Sequence, residues 1–242
     1  MKKLIYLFVA LLMGKNVLAQ NVVVSSNPFI TRWNLATAGS AVSQLSFGVA
    51  TAGPVNYTWT TVPAASSGSG TFSGTTAVIT GLPAGAKIDL SIVPANFQRI
   101  NINNGPDRNR LTEVKQWGNV VWTSMENAFS GCANMTLTAT DVPNTAAVTD
   151  MTAMFNNCSS FNQALPNGFN TTAVTNMNSM FGNCFSFNQA LPSSFNTTAV
   201  TNMNSMFGNC IAYNQALPSS FNTAAVTNMS FMFSDCISFN PC

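Results

Sequence analysis

The chain has 242 residues, of which 46% are hydrophobic and only 7% charged, and it contains no histidine. That balance excludes a disordered, charge-repelled chain, and the missing histidine removes the commonest general base and the commonest metal ligand. Lys115 is the last basic residue, and from Gln116 onward the charges are Glu126, Asp141, Asp150 and Asp235; a surface without cations is a poor match for nucleic acid, phosphate ligands or anionic membranes.

Residues 1–19 read as a signal peptide. Lys2 and Lys3 precede an apolar run from Leu4 to Met13, too short to span a bilayer, and Val17-Leu18-Ala19 suits cleavage before Gln20. The expectation is an exported protein, extracellular or on the cell surface, with no membrane insertion once the signal is removed.

Residues 20–104 read as a β-sandwich-like module of immunoglobulin or PKD type. Val55, Tyr57 and Trp59 alternate with polar neighbours, as do Ile88, Leu90 and Ile92, and then Ile100 and Ile102; period-two alternation marks half-buried strands. Gly53-Pro54, Ser66 to Gly70 and Pro83-Ala84-Gly85 supply turns between them. Residues 105–121 read as a linker and a cap. Asn103 to Arg110 combines Asn-Gly and Pro-Asp turn signals with Asp107, Arg108 and Arg110, a mixed cluster that reads as solvated. Leu111, Val114 and Trp117 then lead into the repeats as an N-terminal cap.

Residues 122–242 hold a repeat of period 26, in about five units. Val148, Val174 and Val200 open three full copies, Val226 opens an incomplete fourth, and a weaker copy begins at Trp122. The second and third full copies differ only at Phe185/Ile211, Ser186/Ala212, Phe187/Tyr213 and Thr198/Ala224. A fixed period of this length signals stacked units that bury one another's apolar faces. The V-T-x-M-x-x-M-F segment predicts a short helical turn, and Phe161–Leu165 and its equivalents predict a short strand ended by Pro166, Pro192 and Pro218. The expected fold is therefore mainly β with short helical turns: a sandwich-like module followed by a solenoid.

Met177, Met180, Phe181, Cys184, Phe187, Asn188, Gln189 and Leu191, followed by the N-T-x-x-V-T-N-M return, resemble the 26-residue bacterial surface-protein repeat of the BspA-like leucine-rich-repeat proteins. The resemblance implies a secreted or surface-displayed solenoid used in adhesion or protein interaction. The N-terminal region resembles that of secreted relatives too, but where PKD-like modules carry an acidic W-G-D-G-type turn this chain has TTVPAASSGSG.

Cys132, Cys158, Cys184, Cys210 and Cys236 fall on one ladder, flanked by Phe and Met. They read as a structural stack of buried thiols, with disulfides the alternative; Cys242 lies off the ladder and could pair with Cys236 or another chain. A row of one thiol per unit predicts no metal site. The Asn positions 157, 183 and 209, and 162, 188, 214 and 240, read as structural ladders, and Phe155, Phe161, Phe169 and their equivalents as packing. Thr171, Thr197 and Thr223, with Thr175, Thr201 and Thr227, are the candidate polar binding face. The expected function is adhesion or protein–protein interaction through the solenoid face, with an unknown protein or glycan as partner. The alternative is a carbohydrate-binding or ice-binding module using the Asn and Thr ladders. No enzyme and no cofactor are expected, because no nucleophile–base pair is visible. The last unit stops before its Leu-Pro turn, so the expectation is a truncated array whose open C-terminal end self-associates.

Overall fold

A computed structural model describes residues 27–240. The expected signal peptide and Cys242 lie outside the described residues. Among the described residues the structure is mainly β, and no helix is present.

Eight strands precede the repeats: β1 (Phe29–Asn34), β2 (Leu45–Thr51), β3 (Val55–Thr61), β4 (Ser67–Phe72), β5 (Thr76–Ile79), β6 (Lys87–Ile92), β7 (Phe97–Asn101) and β8 (Leu111–Gln116); a two-residue β9 (Thr136–Leu137) follows. They form two open sheets, one ordered β4-β3-β6-β1-β8-β9 and one ordered β5-β2-β7. The alternation that predicts the strands also sets their faces. In β3 the residues Val55, Tyr57 and Trp59 are buried while Asn56, Thr58 and Thr60 are exposed. Trp33 of β1 stacks on Phe47 of β2 with ring centroids 5.2 Å apart, joining the inner faces of the two sheets. The β7–β2 pairing brings Ile100 beside Val49 in the same core.

The stretch expected as a solvated linker is an anchor instead. Asp107 and Arg110 are buried, 1% and 3% exposed, and form an ion pair of 3.0 Å. The Asp107 carboxylate accepts hydrogen bonds from Ser40 N, Ser40 Oγ and Ser46 N at 2.9, 2.6 and 2.7 Å. Arg110 donates to the carbonyls of Thr37, Ala41 and Gln44 at 2.7–2.8 Å. The pair therefore pins the β1–β2 connection, where a Cβ on Gly39 would collide with both side chains. The burial is possible because both carboxylate oxygens of Asp107 and the Nε and Nη1 groups of Arg110 find partners, the condition for placing ions inside a protein. Beyond it, β8, in the stretch expected as a cap, lies within the six-stranded sheet, antiparallel to β1 and parallel to β9.

The first repeat unit is covered by two segments of this N-terminal part. Ile102, Asn103 and Asn104 donate backbone bonds to Ala128, Asn127 and Ser130 at 3.2, 3.2 and 2.9 Å. On another side of the unit, β8 covers Thr136 and Leu137. One continuous apolar core runs from the sheets into the repeats.

The repeats stack, with the roles of their two halves reversed from expectation. The segment expected as a helical turn carries the backbone ladder. Asp150, Asn176, Asn202 and Asn228 form successive parallel bridges. Met151, Ala153, Phe155 and Asn157 donate to Asn176, Asn178, Met180 and Gly182 at 2.8–2.9 Å, and the next unit repeats the set. Helix is excluded because two positions per unit take positive φ: Ala153, Ser179 and Ser205 near 51°, and Asn157, Asn183 and Asn209 near 60°. The backbone here closes into isolated four-residue turns, such as Met154 N to Met151 O. The segment expected as a strand, Phe161–Leu165, pairs with nothing through its backbone carbonyls. There the Asn162 side chain does the bridging, its Oδ1 accepting from Asn188 N at 2.8 Å and Gln189 Nε2 at 3.1 Å.

Candidate functional site

The unit interior is filled by two columns of rings. Phe129, Phe155, Phe181, Phe207 and Phe233 stack with centroids 5.3–5.7 Å apart. Phe161, Phe187, Tyr213 and Phe239 stack at 5.7–5.9 Å, and each ring also contacts the first column at 4.3–4.7 Å. Aromatic faces at this separation in an apolar core belong to packing rather than to an external platform. The Tyr213 hydroxyl is buried without a partner among the described residues, and burial raises its pKa further.

Cys132, Cys158, Cys184 and Cys210 are free and buried, and Cys236 is half-buried. Each thiol from Cys158 to Cys236 donates to the carbonyl of the Phe 29 residues earlier, at 2.9–3.1 Å. Desolvation raises Cys132 and Cys184 well above the ordinary thiol range and pushes Cys158 and Cys210 up to about 12. A neutral buried thiol is a poor nucleophile and a poor metal ligand. The ladder ties units together, and among the described residues no cluster of three His, Cys, Asp or Glu could hold a metal ion.

The six threonines of the candidate face divide. Thr171 and Thr197 are buried; their hydroxyls donate to Asn196 O and Asn222 O at 2.7 and 2.8 Å and accept from Asn196 N and Asn222 N. They are inter-unit braces, not a surface, because the Asn backbone groups of the following unit have no other partner there. Thr223, in the last turn, is exposed. Thr175, Thr201 and Thr227 are exposed too, but each hydroxyl donates to the Thr carbonyl one unit back, at 3.1–3.2 Å. Their free capacity is the acceptor side of each oxygen.

Two surface features lie beside each other along the unit. One is a groove of about 300 Å³ lined by Asn156, Ser179, Asn183, Ser205, Asn209 and Phe231, with Gly182 and Gly208 among its lining. A hydrogen bond from Asn209 Nδ2 to Asn183 Oδ1, 2.8 Å, runs along it. The other, two residues further on, is a column of exposed apolar side chains: Phe185 at 44%, Ile211 at 39% and Ile237 at 81%. Successive members are linked by Ala212 N to Phe185 O and Ser238 N to Ile211 O, both 3.2 Å. Reading Phe155, Phe161, Phe169 and their equivalents as packing leaves this column unnoticed. Its signal was the position of the differences between the second and third copies, three of which fall at 185–187 against 211–213.

Charge plays little part in either feature. The ion pairs lie elsewhere: besides Asp107–Arg110, Arg99 of β7 meets Glu126 at 2.7 Å, and on the six-stranded sheet Arg32 and Lys115 meet Asp89 at 2.8 and 2.6 Å and Arg32 meets Glu113 at 3.0 Å. Burial pushes the Asp89 pKa up, but its hydrogen bonds to Arg32 and Lys115 outweigh that and hold it below the usual value.

Residues 123–241 match the protein family described as "Mycoplasma protein of unknown function, DUF285". The match covers the repeats and just under half of the chain, so this segment is similar to that bacterial family. No curated protein and no solved structure matches. Among the described residues no helix is long and apolar enough to cross a membrane.

Proposed function

We propose that the chain is an exported, non-enzymatic surface protein that acts in adhesion or protein–protein interaction. In this reading the stacked units are a solenoid of the leucine-rich-repeat type found in BspA-like surface proteins, and the two N-terminal sheets are an immunoglobulin- or PKD-like sandwich that caps it. The observation that carries the interaction is the exposed Phe185–Ile211–Ile237 column beside an uncharged groove. A surface that presents a large apolar side chain at the same position of three successive units matches the composition of protein interfaces, where charge is depleted and apolar anchors are enriched. Contacts repeated at each unit add along the stack, so weak individual contacts reach useful affinity.

The groove supports a second reading, carbohydrate binding. Its amides and hydroxyls could meet sugar hydroxyls, with Phe231, 70% exposed, at one end. Ice binding through the threonines is weaker support, since the Thr175, Thr201 and Thr227 hydroxyl protons are already committed. The discriminating experiment exposes the chain from Gln20 onward to arrays of extracellular proteins and of glycans, beside the F185S/I211S variant. Protein binding lost in that variant supports the first reading. Glycan binding that survives it supports the second, and no binding on either array sinks both.

A further inference from the structure

β4 ends the six-stranded sheet, with β3 on one side and, among the described residues, no strand on the other. The bond from Thr61 N to Ser66 O sets the phase of the β3–β4 pairing. Hydrogen-bonded pairs alternate in an antiparallel ladder, so Gly68, Gly70 and Phe72 turn their backbone groups towards Trp59, Tyr57 and Val55. The other side of β3 agrees. Val93 N donates to Asn56 O and Val62 N to Lys87 O, which turns the even-numbered residues of β3 to β6 and leaves the odd ones for β4. The N–H and C=O groups of Ser67, Ser69 and Thr71 therefore point outward, and none has a partner among the described residues.

An open edge is ordinarily blunted by lysine, proline, a bulge or a covering segment. β4 has none of the first three. Its sequence is SGSGTF, and its register with β3 runs without a shift. Residues 33–86 contain no Asp, Glu, Lys or Arg. Ser67, Ser69 and Thr71 are exposed on the outer face. On the inner face the glycines leave room for the rings of β3. A Cβ on Gly68 would lie 2.7 Å from the Trp59 indole, and one on Gly70 would lie 2.5 Å from the Tyr57 hydroxyl. Both rings thus reach across the edge strand.

From this geometry we propose that β4 is the pairing edge for a second copy of this chain, joined antiparallel about a two-fold axis at Ser69. In that register Ser69 faces the partner's Ser69, and Ser67 faces the partner's Thr71. Each outward residue offers both a donor and an acceptor, so every outward group meets its complement, as a self-complementary two-fold interface requires. The spacing Ser-Gly-Ser-Gly-Thr reads alike in both directions from Ser69. Hydroxyl side chains face one another on the outer face, a favourable cross-strand pairing. Glycine meets glycine at the close positions that lack hydrogen bonds, where Cα atoms approach to about 4.5 Å. On the inner face the Trp59 ring over Gly68 comes beside the partner's Tyr57. Because this edge carries no charge, two copies meet without repulsion. The inference rests on the strand geometry and not on the adhesion reading.

The test follows the full chain by sedimentation and by amide exchange across a concentration series. The expected result is a concentration-dependent dimer in which exchange at Ser67, Ser69 and Thr71 slows at least about tenfold, as for groups that enter a protected ladder. Gly68 and Gly70, already bonded to β3, keep their monomer rates. Ser69→Pro removes an N–H from each side of the axis and weakens the dimer roughly tenfold or more, the scale of two net hydrogen bonds. Ser69→Lys and Ser69→Asp, both at an exposed side chain, set like charges opposite one another and each weaken it roughly two- to fivefold. An equimolar mixture of S69K and S69D restores association, which damage to the fold would not. A chain that stays monomeric up to about 1 mM, where even a contact of about 4 kcal/mol is half formed, overturns the proposal. So does a dimer in which the three amides exchange at the monomer rate, or protection of those amides in the dilute monomer.

Discussion

Replacing Asp107 by alanine tests how the N-terminal sheets are locked. The carboxylate satisfies two backbone N–H groups, one hydroxyl and the Arg110 guanidinium, all within 3.0 Å. Its loss leaves Arg110 only 3% exposed and without its counter-charge. Breaking one side of a buried pair costs about 3–5 kcal/mol, because the remaining charge stays desolvated. Some of that is recovered because Arg110 keeps three carbonyl acceptors, so a loss near 3 kcal/mol is expected. Urea unfolding followed by fluorescence of Trp33 and Trp59, both buried in this core, measures it. The paired change D107L/R110M should cost less than D107A alone, since no uncompensated ion is left. A loss under about 1 kcal/mol for D107A would refute the view that this pair anchors the fold, because that is the scale of an exposed pair.

The thiol ladder predicts alkaline instability. Cys158 and Cys210 titrate at about 12 when folded against an ordinary 9.0, so the folded state keeps protons that the unfolded state loses. Their stabilising contribution is complete below pH 9 and declines as pH rises towards 12, by up to about 1.4 kcal/mol per pH unit per thiol; urea midpoints measured across that range should fall, and a flat profile would count against buried neutral thiols. Tyr213→Phe should raise stability by about 1 kcal/mol, since the hydroxyl it deletes is buried without a partner between two Phe rings; thermal melts that show a lower midpoint would mean the hydroxyl is bonded in solution. Ala153→Asn should be neutral or stabilising by up to about 1 kcal/mol, because Asn tolerates the positive φ of 51° better than Ala, as Asn127 does one unit earlier; denaturant unfolding reads the sign.

Much of the fold was legible because it follows from periodicity. Alternation marked β3 and β6, and the 26-residue period placed Phe, Met and Cys in the core of each unit. What was misread shares a physical cause: the chain satisfies its backbone with local devices that hydrophobic pattern does not report. Apolar residues at helical spacing in Val148 to Phe155 are equally served by successive turns once Ala153 and Asn157 adopt positive φ. The apparent strand at Phe161–Leu165 is bridged by Asn side chains, so its neighbours need no backbone ladder. Asp107 and Arg110 looked solvated because their partners lie more than 60 residues away. Within the candidate face, Thr171 and Thr175 are both hydroxyls in a repeated slot, and only the stacking decides that the first points inward.

In the proposed function the repeats present a binding face through the exposed apolar column. The most direct measurement compares the chain with its F185S/I211S variant for binding to an array of extracellular proteins, with urea unfolding as the control for folding. The expected result is a captured partner that the variant loses at least about tenfold, while stability changes by less than about 1 kcal/mol, as for partly exposed side chains. Equal capture by both proteins would contradict it and move the binding face away from the column.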